Sequence, residues 1–181
     1  MIHLVLGGAR SGKSRYGETL AARLFEQGYV CHYVATAQAL DEEMQTRIAR
    51  HQHERHVSSL PWLLHEHPLQ LADCLHQLAP QLTDSSVVLV DCLTLWLTNE
   101  LLRRSPDWPA QKQALLACLA TLPGQIILIS NEVGSGIVPM GELSRQFVDE
   151  AGWLNQAVAA LADDVTLVVA GLPLVLKRAA Q

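Results

Sequence analysis

Gly7-Gly8-Ala9-Arg10-Ser11-Gly12-Lys13-Ser14 follows the short apolar run Ile2–Leu6. It opens a segment, Ser14–Gln27, in which Tyr16, Leu20 and Leu24 recur every four residues before Gly28. Strand, glycine-rich loop and helix in that order fit the Walker A pattern, a loop whose backbone N–H groups turn inward onto phosphate oxygens. In that pattern Lys13 reaches the β and γ phosphates, and the Ser14 hydroxyl is a ligand for Mg²⁺. A chance glycine turn is disfavoured because the flanking strand and helix are the context the motif demands.

Working outward, apolar runs recur at Ile2–Leu6, Tyr29–Ala35, Val87–Val90, Ile126–Ile129 and Val165–Val169, with helix-patterned segments between them. That alternation predicts an α/β fold of the P-loop, RecA-like kind: a mostly parallel central sheet with helices on both faces. A last run, Pro173–Leu176, predicts an edge hairpin with the strand before Gly171. The flexible pieces are expected at Val57–Pro61, Arg103–Pro109 and Gly134–Gly141. Ligands of such folds bind beyond the carboxyl ends of the strands.

The chain has 181 residues, 49% of them hydrophobic and 17% charged, which suits a single nucleotide-binding domain over residues 1–181. A net charge of -5 with only three lysines, Lys13, Lys112 and Lys177, argues against a nucleic-acid groove, which needs a basic surface. Cys31, Cys74, Cys92 and Cys118 form no Cys-x-x-Cys pair and read as buried free thiols. No apolar run is long enough to span a bilayer, and the expected compartment is the cytoplasm.

Three further positions carry chemistry. Asp91 ends the buried run Val87–Val90, as a Walker B carboxylate serving Mg²⁺ would; the alternative is an N-cap for the helix expected over Leu93–Leu102. Glu132 follows Ile126–Ile129 and sits on the same rim, either orienting or deprotonating a hydroxyl nucleophile or as a solvated turn residue. Five of the eight histidines lie between His51 and His67. On a helix over Asp41–His56, however, His51 and His53 point to nearly opposite sides and cannot share a metal ion. His51 aligns with Leu40, Met44 and Ile48, so it reads as a core residue or as a neutral imidazole able to attack phosphorus.

Several segments together resemble one family: Gly7-Gly8-Ala9-Arg10-Ser11-Gly12-Lys13-Ser14-Arg15, Tyr33-Val34-Ala35-Thr36-Ala37, Asp41-Glu42-Glu43-Met44 with Arg47, Ile48 and His51, and Val90-Asp91-Cys92-Leu93-Thr94. The most specific is Asn131-Glu132-Val133-Gly134-Ser135-Gly136-Ile137-Val138-Pro139. The later block around Arg145, Phe147, Asp149, Gly152, Asn155-Gln156, Ala162-Asp163 and Gly171-x-Pro173-Leu174 continues the match. The family is the bifunctional adenosylcobinamide kinase/adenosylcobinamide-phosphate guanylyltransferase of cobalamin biosynthesis, and the likeness runs along nearly the whole chain.

The resemblance implies two reactions. A nucleoside triphosphate, ATP or GTP, phosphorylates the hydroxyl on the aminopropanol arm of adenosylcobinamide. GTP then passes GMP through an active-site histidine to adenosylcobinamide phosphate, giving adenosylcobinamide-GDP and pyrophosphate. It implies His51 as the guanylylated residue and Asp91 as the strand-end carboxylate. Guanine and ribose contacts are implied at Ala35, Thr36 and Ala37, at Gln52, His53, Glu54 and Arg55, and at Glu66. It also implies a homo-oligomer, with a trimer one possible state. Two other readings remain at this stage: a monofunctional small-molecule P-loop kinase, and a RecA-like regulatory ATPase.

Overall fold

Ile2–Gly7 forms the first strand, β1, and it is apolar on both faces because both are covered: Leu4 and Val5, which point to opposite sides, are each fully buried. The computed structural model describes residues 1–39, 42, 45–46, 49, 60–103 and 107–179. After β1 come α1 (Lys13–Glu26), β2 (Val30–Ala35), β3 (Leu63–Glu66) and α2 (Leu71–Leu78), which runs into a 3₁₀ turn at Ala79–Gln81. The rest is β4 (Ser86–Asp91), α3 (Leu93–Leu102), α4 (Trp108–Leu119), β5 (Gln125–Asn131), α5 (Glu142–Leu161), β6 (Asp164–Val169) and β7 (Leu172–Lys177). The strands form one seven-stranded sheet in the order β3-β2-β4-β5-β1-β6-β7. Every pair is parallel except β6–β7.

Alternating residues of the central strands feed two cores. Leu4, Val88, Val90, Ile126 and Leu128 face α2–α5, whose Leu75, Trp96, Leu97, Leu115, Leu154 and Val158 complete that side. Val5, Val87, Leu89, Ile127 and Ile129 face α1, where Ala21, Leu20 and Leu24 pack. β1 lies between β5 and β6, and β5 separates it from β4. The strand delivering the phosphate loop and the strand delivering Asp91 are therefore two sheet spacings apart, roughly 10 Å.

The expected hairpin is present, and its turn is tight. Val169 pairs with Leu172, leaving Ala170 and Gly171 as a two-residue connection with φ of 52° and 78°. Positive φ at both positions is the geometry that matches the twist of a two-stranded ribbon.

β3 was not expected from sequence. Leu63-Leu64-His65-Glu66 has no β-branched residue, and it becomes a strand by pairing along β2, reinforced by stacking of His65 on His32 with Nδ1 of His32 3.2 Å from Nε2 of His65. The segment Arg103–Pro109, expected to be a flexible loop, ends inside a helix: Trp108 and Pro109 start α4, and Trp108 is buried against Trp96. Proline at the second helical position loses no hydrogen bond there. Of the helix expected over Asp41–His56, Glu42, Gln45, Thr46 and Ala49 are described and are helical. Residues 50–59 lie outside the described residues.

Candidate active site

The parallel register sets a row of residues along the carboxyl edge of the sheet. Glu66 is opposite Ala35, Ala35 opposite Asp91, Asp91 opposite Ile129, and Gly7 opposite Asn131. From β3 to β1 the row spans four strand spacings, roughly 19 Å.

At one end of this row the loop closes around Gly8. The carbonyl of Gly8 accepts the Ser11 N–H at 3.3 Å and the Lys13 ammonium at 3.1 Å, so Lys13 lies back across its own loop. Arg10 and Gly12 adopt φ of 56° and 93°, and Gly12 forms the N-terminal boundary of α1 with its carbonyl accepting the Tyr16 N–H. Gly7 admits no side chain: a Cβ there would sit 2.3 Å from Ser11 Oγ and 2.7 Å from the Val168 carbonyl. The β6–β7 turn braces the loop from below, with the Gly171 N–H donating to the Ser11 carbonyl at 2.8 Å. Gly8, Ala9 and Arg10 are exposed, while Ser14 is half-buried in the first turn of α1.

Asp91 ends β4 and accepts the Tyr33 phenol at Oδ2, 3.0 Å away; Tyr33 in turn meets Trp62 edge-on at 5.3 Å between centroids. The helix-cap alternative for Asp91 is not the arrangement observed. The residue preceding α3 is Cys92, in extended conformation, and no side chain caps the helix. The Asp91–Cys92 peptide is cis, and Thr36 brackets it. The Thr36 hydroxyl accepts the Cys92 N–H at 2.8 Å and donates to the Cys92 carbonyl at 2.7 Å, while the Thr36 N–H donates to the Asp91 carbonyl at 3.1 Å. Asn99 of α3 then donates to the carbonyls of both Thr36 and Pro68, joining the ends of β2 and β3 to the helix. The Thr36 side chain is fully buried, so it secures the turn, whereas Ala35 and Ala37 are partly exposed.

Burial, with Asp91's charge second, pushes the Cys92 thiol up to about 11, so it stays protonated and is no nucleophile near neutral pH. All four cysteines are buried free thiols.

Between phosphate loop and Asp91, β5 contributes Asn131 and Glu132. The Asn131 Nδ2 donates to Thr94 Oγ1 at 2.9 Å, its carbonyl accepts from Asn155 Nδ2 at 3.0 Å, and Asn155 Oδ1 accepts the Ser130 hydroxyl at 2.7 Å. Glu132 is tied to the loop strand through its N–H on the Gly7 carbonyl, and its Oε1 accepts the Gly134 N–H at 2.7 Å and the Ser135 hydroxyl at 3.1 Å. Its carboxylate thus organises the turn that follows β5, while its backbone ties that turn to the end of β1.

The structure brings Lys13, Ser14, Asp91 and Glu132 to one rim, with Ala35, Ala37 and exposed Glu66 along the same edge. His51, Gln52, His53, Glu54 and Arg55 lie outside the described residues. Tyr33, Thr94, Asn99 and Asn131 were not singled out from sequence. Tyr33, Thr94 and Asn131 stand inside the segments that resemble the family, but the pairing of Tyr33 with Asp91 spans 58 positions and leaves no local signal. Among the described residues no three His, Cys, Asp or Glu side chains converge as a metal cluster, and no helix is long and apolar enough to cross a membrane. A serine hydroxyl at the start of α1 and an aspartate carboxylate at the end of β4 are oxygen donors of the kind that would suit Mg²⁺, which takes one or two protein oxygens and completes its shell with phosphate and water.

A family model described as cobinamide kinase / cobinamide phosphate guanyltransferase matches residues 3–176. The bifunctional adenosylcobalamin biosynthesis protein CobP of Pseudomonas aeruginosa is 54% identical over 178 residues, 98% of this chain and 98% of that protein. The bifunctional adenosylcobalamin biosynthesis protein CobU of Escherichia coli is 38% identical over 191 residues, 98% of this chain and 100% of that protein. Among solved structures, the flagellar accessory protein FlaH of Methanocaldococcus jannaschii shares the fold at 14% identity, with a TM-score of 0.56 over 98% of this chain and 78% of that one. The sheet with its glycine-rich loop is a RecA-like P-loop fold.

Proposed function

This chain belongs to the cobinamide kinase / cobinamide phosphate guanyltransferase family, and we propose that both of that family's reactions run on the carboxyl rim described above. The observation that carries the reading is the parallel sheet, whose strands end with Gly7, Asn131, Asp91, Ala35 and Glu66 on the same carboxyl edge. A triphosphate seated in the loop has its base directed toward β2 and β3.

In the first reaction the hydroxyl of adenosylcobinamide attacks the γ-phosphorus of ATP or GTP, and the nucleoside diphosphate leaves. The loop amides and Lys13, released from the Gly8 carbonyl, stabilise the charge that develops on the bridging oxygen. Glu132 orients the hydroxyl and takes its proton. Ser14 and Asp91 hold Mg²⁺, which when bound neutralises phosphate charge, and the Tyr33 phenol fixes the Asp91 carboxylate for that role.

In the second reaction a nitrogen of His51 attacks the α-phosphorus of GTP. A P–N bond forms, and the bond to pyrophosphate breaks. A phosphate oxygen of adenosylcobinamide phosphate then attacks the guanylyl phosphorus, the P–N bond breaks, and His51 is regenerated. Ala35, Ala37, Glu66 and the segment Gln52-His53-Glu54-Arg55 hold guanine and ribose; Thr36 serves by fixing the turn. We assign the enzyme to the cytoplasm, as one nucleotide-binding domain that assembles into a homo-oligomer, since a corrinoid is large against the rim of a single subunit.

Incubation with α-labelled GTP and Mg²⁺ tests the reading. The expected result is acid-labile, base-stable label on the protein, absent in His51→Asn, with His51→Asn still phosphorylating adenosylcobinamide. No covalent label under any condition would leave a plain kinase or an ATPase.

A further inference from the structure

One flank of the rim carries the two most exposed large apolar side chains among the described residues. Beyond Glu132 the connection to α5 carries Ile137 and Met140 almost fully exposed, at 98% and 97%, with Val138 beside them. It is anchored at its start by the Glu132 carboxylate and at its end by the Arg145 guanidinium, which donates to the Pro139 and Met140 carbonyls. Next to it, between α3 and the first turns of α5, lies an open groove of about 310 Å³ lined by Thr98, Leu101, Leu102, Leu143, Phe147 and their neighbours. No lining residue is charged, and two, Thr98 and Ser144, offer hydroxyls.

Resting on the function proposed above, we infer that this groove and the apolar loop beside it seat the corrin body of adenosylcobinamide. Three observations carry the assignment. The groove is continuous with the reaction rim: Thr94, whose hydroxyl accepts from Asn131, is followed on α3 by Thr98 one turn later and Leu102 two turns later. At 1.5 Å per residue the groove therefore lies about 6–12 Å along the helix from the rim. The reacting hydroxyl sits at the tip of an amide-linked arm of about seven bonds, which reaches roughly 9 Å from the macrocycle edge at ordinary bond lengths. A macrocycle in the groove thus places that hydroxyl at the rim.

Charge gives the second argument. An uncharged lining with two hydroxyls repays nothing to a nucleotide, yet it suits a macrocycle that presents apolar edges and neutral amides. The third is exclusion by position: the base and ribose are directed along the other flank, past Ala35 and Glu66, leaving the Glu132 flank for the second substrate. An exposed apolar face of this kind marks a binding surface.

The test uses the whole protein with Leu143→Glu on one wall and Leu102→Glu on the other; both positions are about half exposed, so folding is spared. Adenosylcobinamide binding is measured by equilibrium dialysis through the corrin absorbance. The expected result is a dissociation constant raised at least tenfold in each variant and within threefold of wild type in Leu143→Met. The GTP concentration for half-maximal protein labelling should move less than twofold. Unchanged corrinoid binding in both glutamate variants would overturn the assignment. So would a shift of both variants in sedimentation velocity with a parallel fall in GTP labelling, which would make the face a contact between copies of the chain. Failure of the unmutated protein to turn over adenosylcobinamide would instead overturn the parent reading, and the two failures are read in separate assays.

Discussion

Thr36→Val removes one oxygen and changes almost nothing in shape. The side chain is fully buried, and its hydroxyl both accepts the Cys92 N–H at 2.8 Å and donates to the Cys92 carbonyl at 2.7 Å. Valine fills the same space and bonds to neither group. The Cys92 carbonyl keeps the Trp96 N–H at 3.2 Å, so losing its bond to the hydroxyl costs about 1 kcal/mol, while the Cys92 N–H is left unmatched at about 1–3 kcal/mol, and the variant should lose about 2–4 kcal/mol of stability. Thr36→Ser keeps the hydroxyl and gives up one methyl, a loss of about 1 kcal/mol. Urea unfolding followed by circular dichroism reads both. With a slope of about 2–3 kcal/mol per molar, the valine variant's midpoint should fall by about 1–2 M and the serine variant's by less than about 0.5 M. The KM for GTP should rise in the valine variant alone, because the same hydroxyl fixes the peptide that follows Asp91. A valine variant within about 1 kcal/mol of wild type, or a serine variant as weak as valine, would refute the role given to Thr36.

Lys13→Ala should lower both cobinamide phosphorylation and protein guanylylation by about 10²–10³, measured with γ- and α-labelled GTP, because it removes a cation aimed at developing phosphate charge. Ala170→Gly should raise the unfolding temperature, since relieving a left-handed alanine is worth about 1 kcal/mol; no rise would mean that the turn carries no strain. Acid should weaken the fold through His32 and His65, both lowered from an ordinary value of 6.5, chiefly by burial and then by a neighbouring imidazole. Below pH 6.5 the unfolded chain takes up protons that the folded pair refuses, so stability falls as pH drops through 6.5 and levels off below the folded values. His65→Gln should flatten that slope in thermal melts between about pH 7.5 and 5.5.

The phosphate loop, the central strands and the terminal hairpin were legible because each is written locally. Gly7–Ser14 carries its own backbone demands, and Val87–Val90 and Ile126–Ile129 declare burial on two faces. What stayed hidden depends on distant partners. β3 is a strand because β2 offers it an edge. α2 starts after Gln70 at φ 51°, a position no glycine or asparagine announces, and the Gln70 N–H is satisfied by the buried carboxylate of Glu100. At the site, sequence placed Asp91 at a strand end but left a helix cap as an alternative. The extended Cys92 at the start of α3 removes the cap, and the Asp91 carboxylate bonds the Tyr33 phenol instead; both are tertiary facts.

The central place of β1 has a consequence for biosynthesis on the ribosome. Its sheet partners are β5 and β6, and the donor that steadies its loop belongs to Gly171. At 5–20 residues per second the ~120 residues between β1 and β5 take roughly 6–24 s to translate, during which the first apolar strand has no edge to join, and the Gly171 donor follows later still. Completion of the sheet and readiness to receive a triphosphate are then a single late event, and chaperone capture of the waiting segment is the cellular hazard that this chain order creates.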